Sequence, residues 1–227
     1  MDANYLPIHE QMLRFRAAIE QNKTLLTVLQ RAATMNLPGW YIASGAVSQT
    51  VWNVITHRDP EQGINDYDLV YFDGSDLSWE AEDVVIQAGR EIFADIPVEV
   101  EIRNQARVHL WYEKKFGNPC RQYESSEAAI SAWGMNSALI GIRLMDDGQW
   151  DIFAPWGFSD IFSLTVRPNE RNMTKEIYDK KVEQIHAVET SMLSDKRKAG
   201  PVEAERDVLK VNPGVGNEGN LVIGRKV

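Results

Sequence analysis

The stretch from Asp66 to Phe72, reading DYDLVYF, constrains this chain more than any other. It is rich in aromatic and aliphatic residues and is bounded by Asn65 before and Asp73-Gly74-Ser75 after, so it reads as a largely buried strand. Two carboxylates stand at its start. Side chains alternate along a strand, so Asp66 and Asp68 share a face, about 7 Å apart. Carboxylates held side by side repel unless a cation lies between them, and such hard oxygen ligands suit Mg²⁺. A chain built on this strand must cover its apolar side while leaving the acids reachable.

The flanking sequence supplies that cover. Met12, Phe15 and Ile19, then Leu25, Val28, Leu29 and Ala32, follow helical spacing on either side of a polar break at Gln21-Asn22-Lys23. Leu37-Pro38-Gly39 ends the helical region. Trp40 to Ala43 reads as a short strand, and Ser44-Gly45-Ala46 turns it into a helix carrying Val47, Val51 and Ile55. After the D-x-D strand, Ser78 or Asp76 caps a helix with Ala81, Val84, Val85, Ala88 and Ile92. From Pro97 to Arg103, Val98, Val100 and Ile102 alternate with Glu99, Glu101 and Arg103, a strand with one wet face. Asn104 caps a helix running to about Phe116, and a short helix lies near 126–132. Apolar runs at 138–145 and 150–154 flank Asp146-Asp147-Gly148-Gln149, a hairpin signal. A helical segment at 158–164 and a final helix over about 174–191 complete a mixed α/β chain of the α+β kind.

Composition limits what such a fold does. The 227 residues, 44% hydrophobic and 25% charged, suit one globular domain, placed at 5–193. The last 34 residues hold 5 of the 15 glycines and no aromatic residue, so 194–227 reads as a flexible tail in which Leu221-Val222-Ile223 could pair as an edge strand. A formal net charge of −9 argues against a protein whose main task is gripping nucleic acid. The sequence has no apolar run long enough to span a bilayer and no secretory signal. Cys120 is the only cysteine, which excludes an internal disulfide and fits a reducing, cytoplasmic setting.

Three elements form a pattern. A strand ends in Ser44-Gly45 and turns into a helix, a junction where backbone N–H groups can meet a phosphate. The D-x-D strand follows. The next strand offers Glu99 or Glu101 on one face, and periodicity does not choose between them. With this order the chain resembles the nucleotidyltransferase superfamily, the fold of DNA polymerase β and the CCA-adding enzymes. That family's pattern falls here at Gly45, at Asp66-Tyr67-Asp68-Leu69 and at Val100-Glu101-Ile102. More narrowly the chain is similar to a small nucleotidyltransferase-like family of bacteria and fungi. The matching stretches are DYDLVYFD at 66–73, NQARVHLWY at 104–112, Ala154-Pro155-Trp156-Gly157 and Val166-Arg167-Pro168.

The resemblance implies a mixed central β-sheet flanked by helices, with a C-terminal hairpin and helix. It implies two Mg²⁺ ions held by Asp66, Asp68 and Glu101, with Ser44, Gly45 and Ser48 at the triphosphate. Arg103, Arg107 or Arg167 would neutralise the pyrophosphate, and Asn104, Gln105 and His109 would border the substrate. The reaction implied is transfer of a nucleoside monophosphate from an NTP to a hydroxyl acceptor that the sequence does not identify. Two departures weaken the glycine turn: Ala46 replaces a second Gly or Ser, and Ser48-Gln49 replaces a basic-polar pair. They support a second reading, a non-catalytic module binding nucleotide or a partner. A third is an aminoacyl-tRNA-dependent peptide-bond or cyclodipeptide-forming enzyme of fungal secondary metabolism, with tRNA as partner and Ser44 or Ser48 as acyl acceptor.

Overall fold

A computed structural model describes residues 6–117 and 119–169, and the backbone of 207–211 and 221–225. The chain opens with two helices, α1 (Ile8–Ile19) and α2 (Lys23–Thr34). The polar break between them is a corner organised by Asn22, which is fully buried. Its side-chain oxygen accepts the Leu25 amide at 2.7 Å, satisfying one of the donors left open at a helix start. Its Nδ2 donates to the Thr50 hydroxyl at 2.9 Å and lies 3.3 Å from the Tyr67 hydroxyl. A cap residue thus ties three elements together, and burial pushes the Tyr67 hydroxyl up to about 12.

There follow β1 (Tyr41–Ala43), α3 (Gly45–Ile55), β2 (Asp66–Tyr71), α4 (Trp79–Ile92) and β3 (Glu99–Asn104). Ser78 is the residue that caps α4, accepting the Ala81 amide at 3.2 Å. The continuous helix expected from Asn104 to Phe116 is instead a 3-10 turn over Gln105–Leu110 followed by α5 (Tyr112–Phe116). The reason is local. The Asn104 side chain accepts the amide of Ala106, two residues on, which winds the chain more tightly than an α-helix. Then come α6 (Ser126–Ile130), the expected hairpin of β4 (Gly141–Leu144) and β5 (Trp150–Phe153), α7 (Ser159–Phe162) and β6 (Thr165–Val166).

The helix expected at 174–191 lies outside the described residues, as does most of the tail. Within the tail, β7 (Asp207–Val211) and β8 (Leu221–Arg225) pair antiparallel, and β8 sits between β7 and β6. Leu221–Ile223 is therefore strand, though central rather than edge, and these two stretches are paired rather than loose. Among the described residues no helix is long and apolar enough to cross a membrane.

The main sheet runs β3-β2-β1-β4-β5. β2 and β3 are parallel, joined by α4 as the crossover, and the remaining pairs are antiparallel, which makes the sheet mixed. One face of it is the core. Ile42, Tyr67, Leu69, Tyr71, Ile102 and Ile142 pack there with Phe15, Leu25, Leu29 and Val47 from the helices. Gly89 brings α4 close against β3, because a Cβ at that position would lie 2.1 Å from Ile102 Cδ1. The opposite face carries the alternate residues of each strand. Its middle is covered, with Tyr41, Ala43 and Val70 packed beneath Ile130, Leu139, Trp133 and Phe153. Its β2–β3 side carries the acids.

Candidate active site

Register brings the expected carboxylates onto one face. Asp68 is the direct partner of Glu101, and Asp66 the partner of Glu99, across the parallel β2–β3 pair. Paired residues point to the same side of a sheet, so all four acids share it. Asp68 is also the partner of Ala43 on β1. Strand β1 then leaves through Ser44-Gly45 alongside the Asp66 end of β2, so the glycine turn and the carboxylates adjoin, as the sequence order implied. Glu101 is the acid beside Asp68, and Glu99, the acid beside Asp66, lies exposed at the start of β3.

The left-handed backbone of the turn falls on Ser44, with φ +69°. A non-glycine residue there costs of order 1–3 kcal/mol, a strain tolerated where the surrounding structure dictates it. A Cβ on Gly45 would meet nothing within 4 Å. The glycine is therefore not required for packing, and the space before it at the start of α3 is open.

The remaining expected residues divide sharply. Arg103 lies on the carboxylate face, and its guanidinium is 2.5 Å from Glu101. Arg107 is buried, ion-paired to the equally buried Glu82, and donates to the Leu77 carbonyl at 2.9 Å. It is a structural cation, not one facing a phosphate. Arg167 pairs with Asp160 on α7. Ser48 is 1% exposed and gives its hydroxyl to the Ser137 carbonyl, so it can serve neither as a phosphate contact nor as an acyl acceptor without leaving that bond. Asn104 locks the far ends of β2 and β3: its side chain accepts the Asp73 amide at 3.0 Å and donates to the Asp73 carbonyl at 2.8 Å. Its own amide donates to Glu82 at 2.8 Å. Gln105 is buried and donates to the Arg103 carbonyl at 3.3 Å. His109 sits in the 3-10 turn with Nδ1 buried and without a hydrogen-bond partner among the described residues.

Two features escaped the sequence reading. A cavity of about 410 Å³ runs between α4 and the free edge of β3, lined by Trp79, Asp83, Ile86, Arg90, Glu101 and Arg103 among others. On the covered half of the face, the Tyr41 hydroxyl lies 2.9 Å from Glu127 and 3.1 Å from Asp151. Arg143 bonds Asp151 at 2.8 Å and stacks 4.4 Å from the Tyr41 ring centre. Burial pushes the Tyr41 hydroxyl far up. Burial also pushes Glu127 up, but hydrogen bonds from its own amide and from Tyr41 outweigh this and hold it below the ordinary glutamate range. Helical spacing on α4 could have suggested the first feature. The second depends on contacts more than 80 residues apart in the chain.

Comparison with known proteins agrees with this geometry. The signature of a family described as nucleotidyltransferase matches residues 30–190. Among solved structures, an NMR structure described as revealing a CCA-adding enzyme head domain matches with a TM-score of 0.57 at 22% identity, over 78% of this chain and 85% of that one. No curated protein matches. The chain belongs to this nucleotidyltransferase family, and the solved structure bears out its fold. Membership supports a role in nucleotidyl transfer.

Proposed function

We propose that the protein transfers a nucleoside monophosphate from an NTP to a hydroxyl of a small acceptor, with Mg²⁺ at Asp66, Asp68 and Glu101. The observation that carries this reading is the register pairing of Asp68 with Glu101, on the same face as Asp66 and beside the open Ser44-Gly45 turn. Among the described residues no three His, Cys, Asp or Glu side chains are gathered tightly enough to enclose an ion, and Glu101 is turned to Arg103. The donor set is of the kind that suits Mg²⁺: hard carboxylate oxygens, on neighbouring strands and one face of the sheet. A divalent ion held there supplies Lewis-acid chemistry at the phosphate and the hydroxyl.

The chain's own residues do the rest. Backbone N–H groups at the start of α3, unmatched within the helix, suit the triphosphate. Arg103 suits the charge that develops on the leaving pyrophosphate. The groove beside Glu101 suits the acceptor, and its 410 Å³ favours a small molecule over a polymer. That size, with the acidic balance of the chain and the buried Ser48 hydroxyl, counts against the aminoacyl-tRNA reading. The test is pyrophosphate release and product mass for wild type and Asp68→Asn with a panel of NTPs and small hydroxyl compounds. No NTP consumption by wild type with any acceptor would favour the non-catalytic binding module instead.

A further inference from the structure

We propose that Arg103 is the resident counter-cation of the carboxylate face: it holds Glu101 while no divalent ion is there, and passes to the phosphates of the nucleotide once an ion engages Glu101. This rests on the reading of the face as a nucleotidyl-transfer site. Arg103 is two residues beyond Glu101 on β3, so both side chains project to one side. One guanidinium nitrogen lies 2.5 Å from Glu101 Oε1, and another donates to the Ile102 carbonyl at 2.9 Å. The side chain is thus folded back along its own edge strand. The charges facing it are Asp68 and Asp66 on β2, Glu99 on β3, and Asp83 and Arg90 across the groove on α4.

Both partners are part exposed, 39% for Arg103 and 33% for Glu101, as are those of Arg16–Glu20 and Arg31–Asp95, so packing does not lock them and the bond adds little to the fold. What sets this pair apart is its place on the carboxylate face. The other arginines that the sequence offered for phosphate are engaged elsewhere, Arg107 with buried Glu82 and Arg167 with Asp160. A divalent ion at Glu101 removes the guanidinium's partner and repels it. A triphosphate arriving at the same face offers a new one, matched to the planar fork of arginine.

The consequence is a pair of effects with opposite sign. Arg103→Gln should tighten metal binding in the absence of nucleotide and weaken nucleotide binding. The experiment uses the full chain and Mn²⁺ as the probe, titrated by calorimetry and by the free-ion electron paramagnetic resonance signal, with wild type, Arg103→Gln, Arg103→Lys and Asp68→Asn. Expected is a two- to fivefold tighter Mn²⁺ affinity for Arg103→Gln, about the weight of an exposed ion pair. With Mg²⁺ and a non-hydrolysable ATP analogue, binding should weaken about tenfold or more, the loss of a charge-assisted hydrogen bond. Arg103→Lys keeps the charge and should stay near wild type for Mn²⁺. If Mn²⁺ binds wild type, is lost in Asp68→Asn and is unchanged in Arg103→Gln, the counter-cation role is overturned while the metal site stands. If Mn²⁺ binding is absent from wild type, or insensitive to Asp68→Asn, the site reading falls and this proposal with it. If Arg103→Gln weakens both ligands and lowers the unfolding temperature, Arg103 is a structural residue and the proposal fails.

Discussion

On the covered half of the sheet face, Tyr41, Glu127, Asp151 and Arg143 form a closed cluster in which each charge meets an opposite charge or a hydroxyl. On the open half, Asp66, Asp68, Glu99 and Glu101 crowd four acids onto two strands with Arg103 as the near cation. The two halves use the same residue types, and each includes a carboxylate–arginine pair. What separates them is cover. Helix α6, Trp133 and Phe153 close over the first and turn it into scaffold. Among the described residues nothing comparable is packed over Asp66, which is exposed. A concentration of like charge on one face of two neighbouring strands marks the half where function is to be sought.

The sharpest way to break this comparison is through the buried pair that anchors β3. Glu82→Ala leaves the Arg107 guanidinium buried without its carboxylate and also removes the acceptor of the Asn104 amide. It should cost about 3–5 kcal/mol, measured by urea unfolding. A loss below about 1 kcal/mol would mean that the pair is not scaffold.

Next in size is Asp68→Asn on the open half. Turnover should fall by about 10²–10³, as when one group stabilising a transition state is removed, with the unfolding temperature held within a few degrees. Full activity of this variant in whichever transfer reaction is found would refute the assignment of the carboxylates.

Tyr41→Phe tests the covered half. It removes the hydroxyl between Glu127 and Asp151 and should cost about 1–2 kcal/mol at neutral pH. Its pH dependence is also defined. Glu127 is depressed in the fold, so its contribution is present above the ordinary glutamate pKa and lost as pH falls through the lower folded value. Without Tyr41 the folded value moves back up, and the acid-dependent part of the loss should shrink. Unfolding temperatures followed from pH 6 to about pH 3 would show an acid-dependent loss equal to that of wild type if Glu127 does not depend on Tyr41.

The smallest effect on the fold should come from Gly45→Ala. Its Cβ enters empty space, so stability should change by less than about 0.5 kcal/mol. Nucleotide affinity, read by titration, should nevertheless drop, because that space is where the phosphate would approach. Unchanged affinity would move the triphosphate away from this turn.

Much of this was legible before any coordinates. The D-x-D strand, the alternating Glu99–Arg103 strand, the Asp-Gly hairpin and the Asn22 break are all local patterns, and each reappears. What was not legible shares a cause too. Arg103, Arg107 and Arg167 are chemically identical in a sequence, yet their surroundings are set by Glu101, Glu82 and Asp160, one of them 25 residues away. Ser48 reads as a turn hydroxyl in the sequence, but the Ser137 carbonyl, 89 residues later, accepts its hydrogen bond. The helix after Asn104 failed for a different reason: the same side chain that can cap an α-helix can also close a tighter turn, and propensity does not separate the two.

Periodicity belongs to a single strand or helix, and for that reason the order of elements, the shared face of Asp66 and Asp68, and the mixed α/β class were readable from residue spacing. Register, cover and pairing are relations between segments distant in the chain. They placed Glu101 rather than Glu99 beside Asp68, put the left-handed backbone on Ser44, buried Arg107 and left Arg103 at the surface. No residue carries that information alone, because each outcome depends on which partner the packed chain brings within a few ångströms.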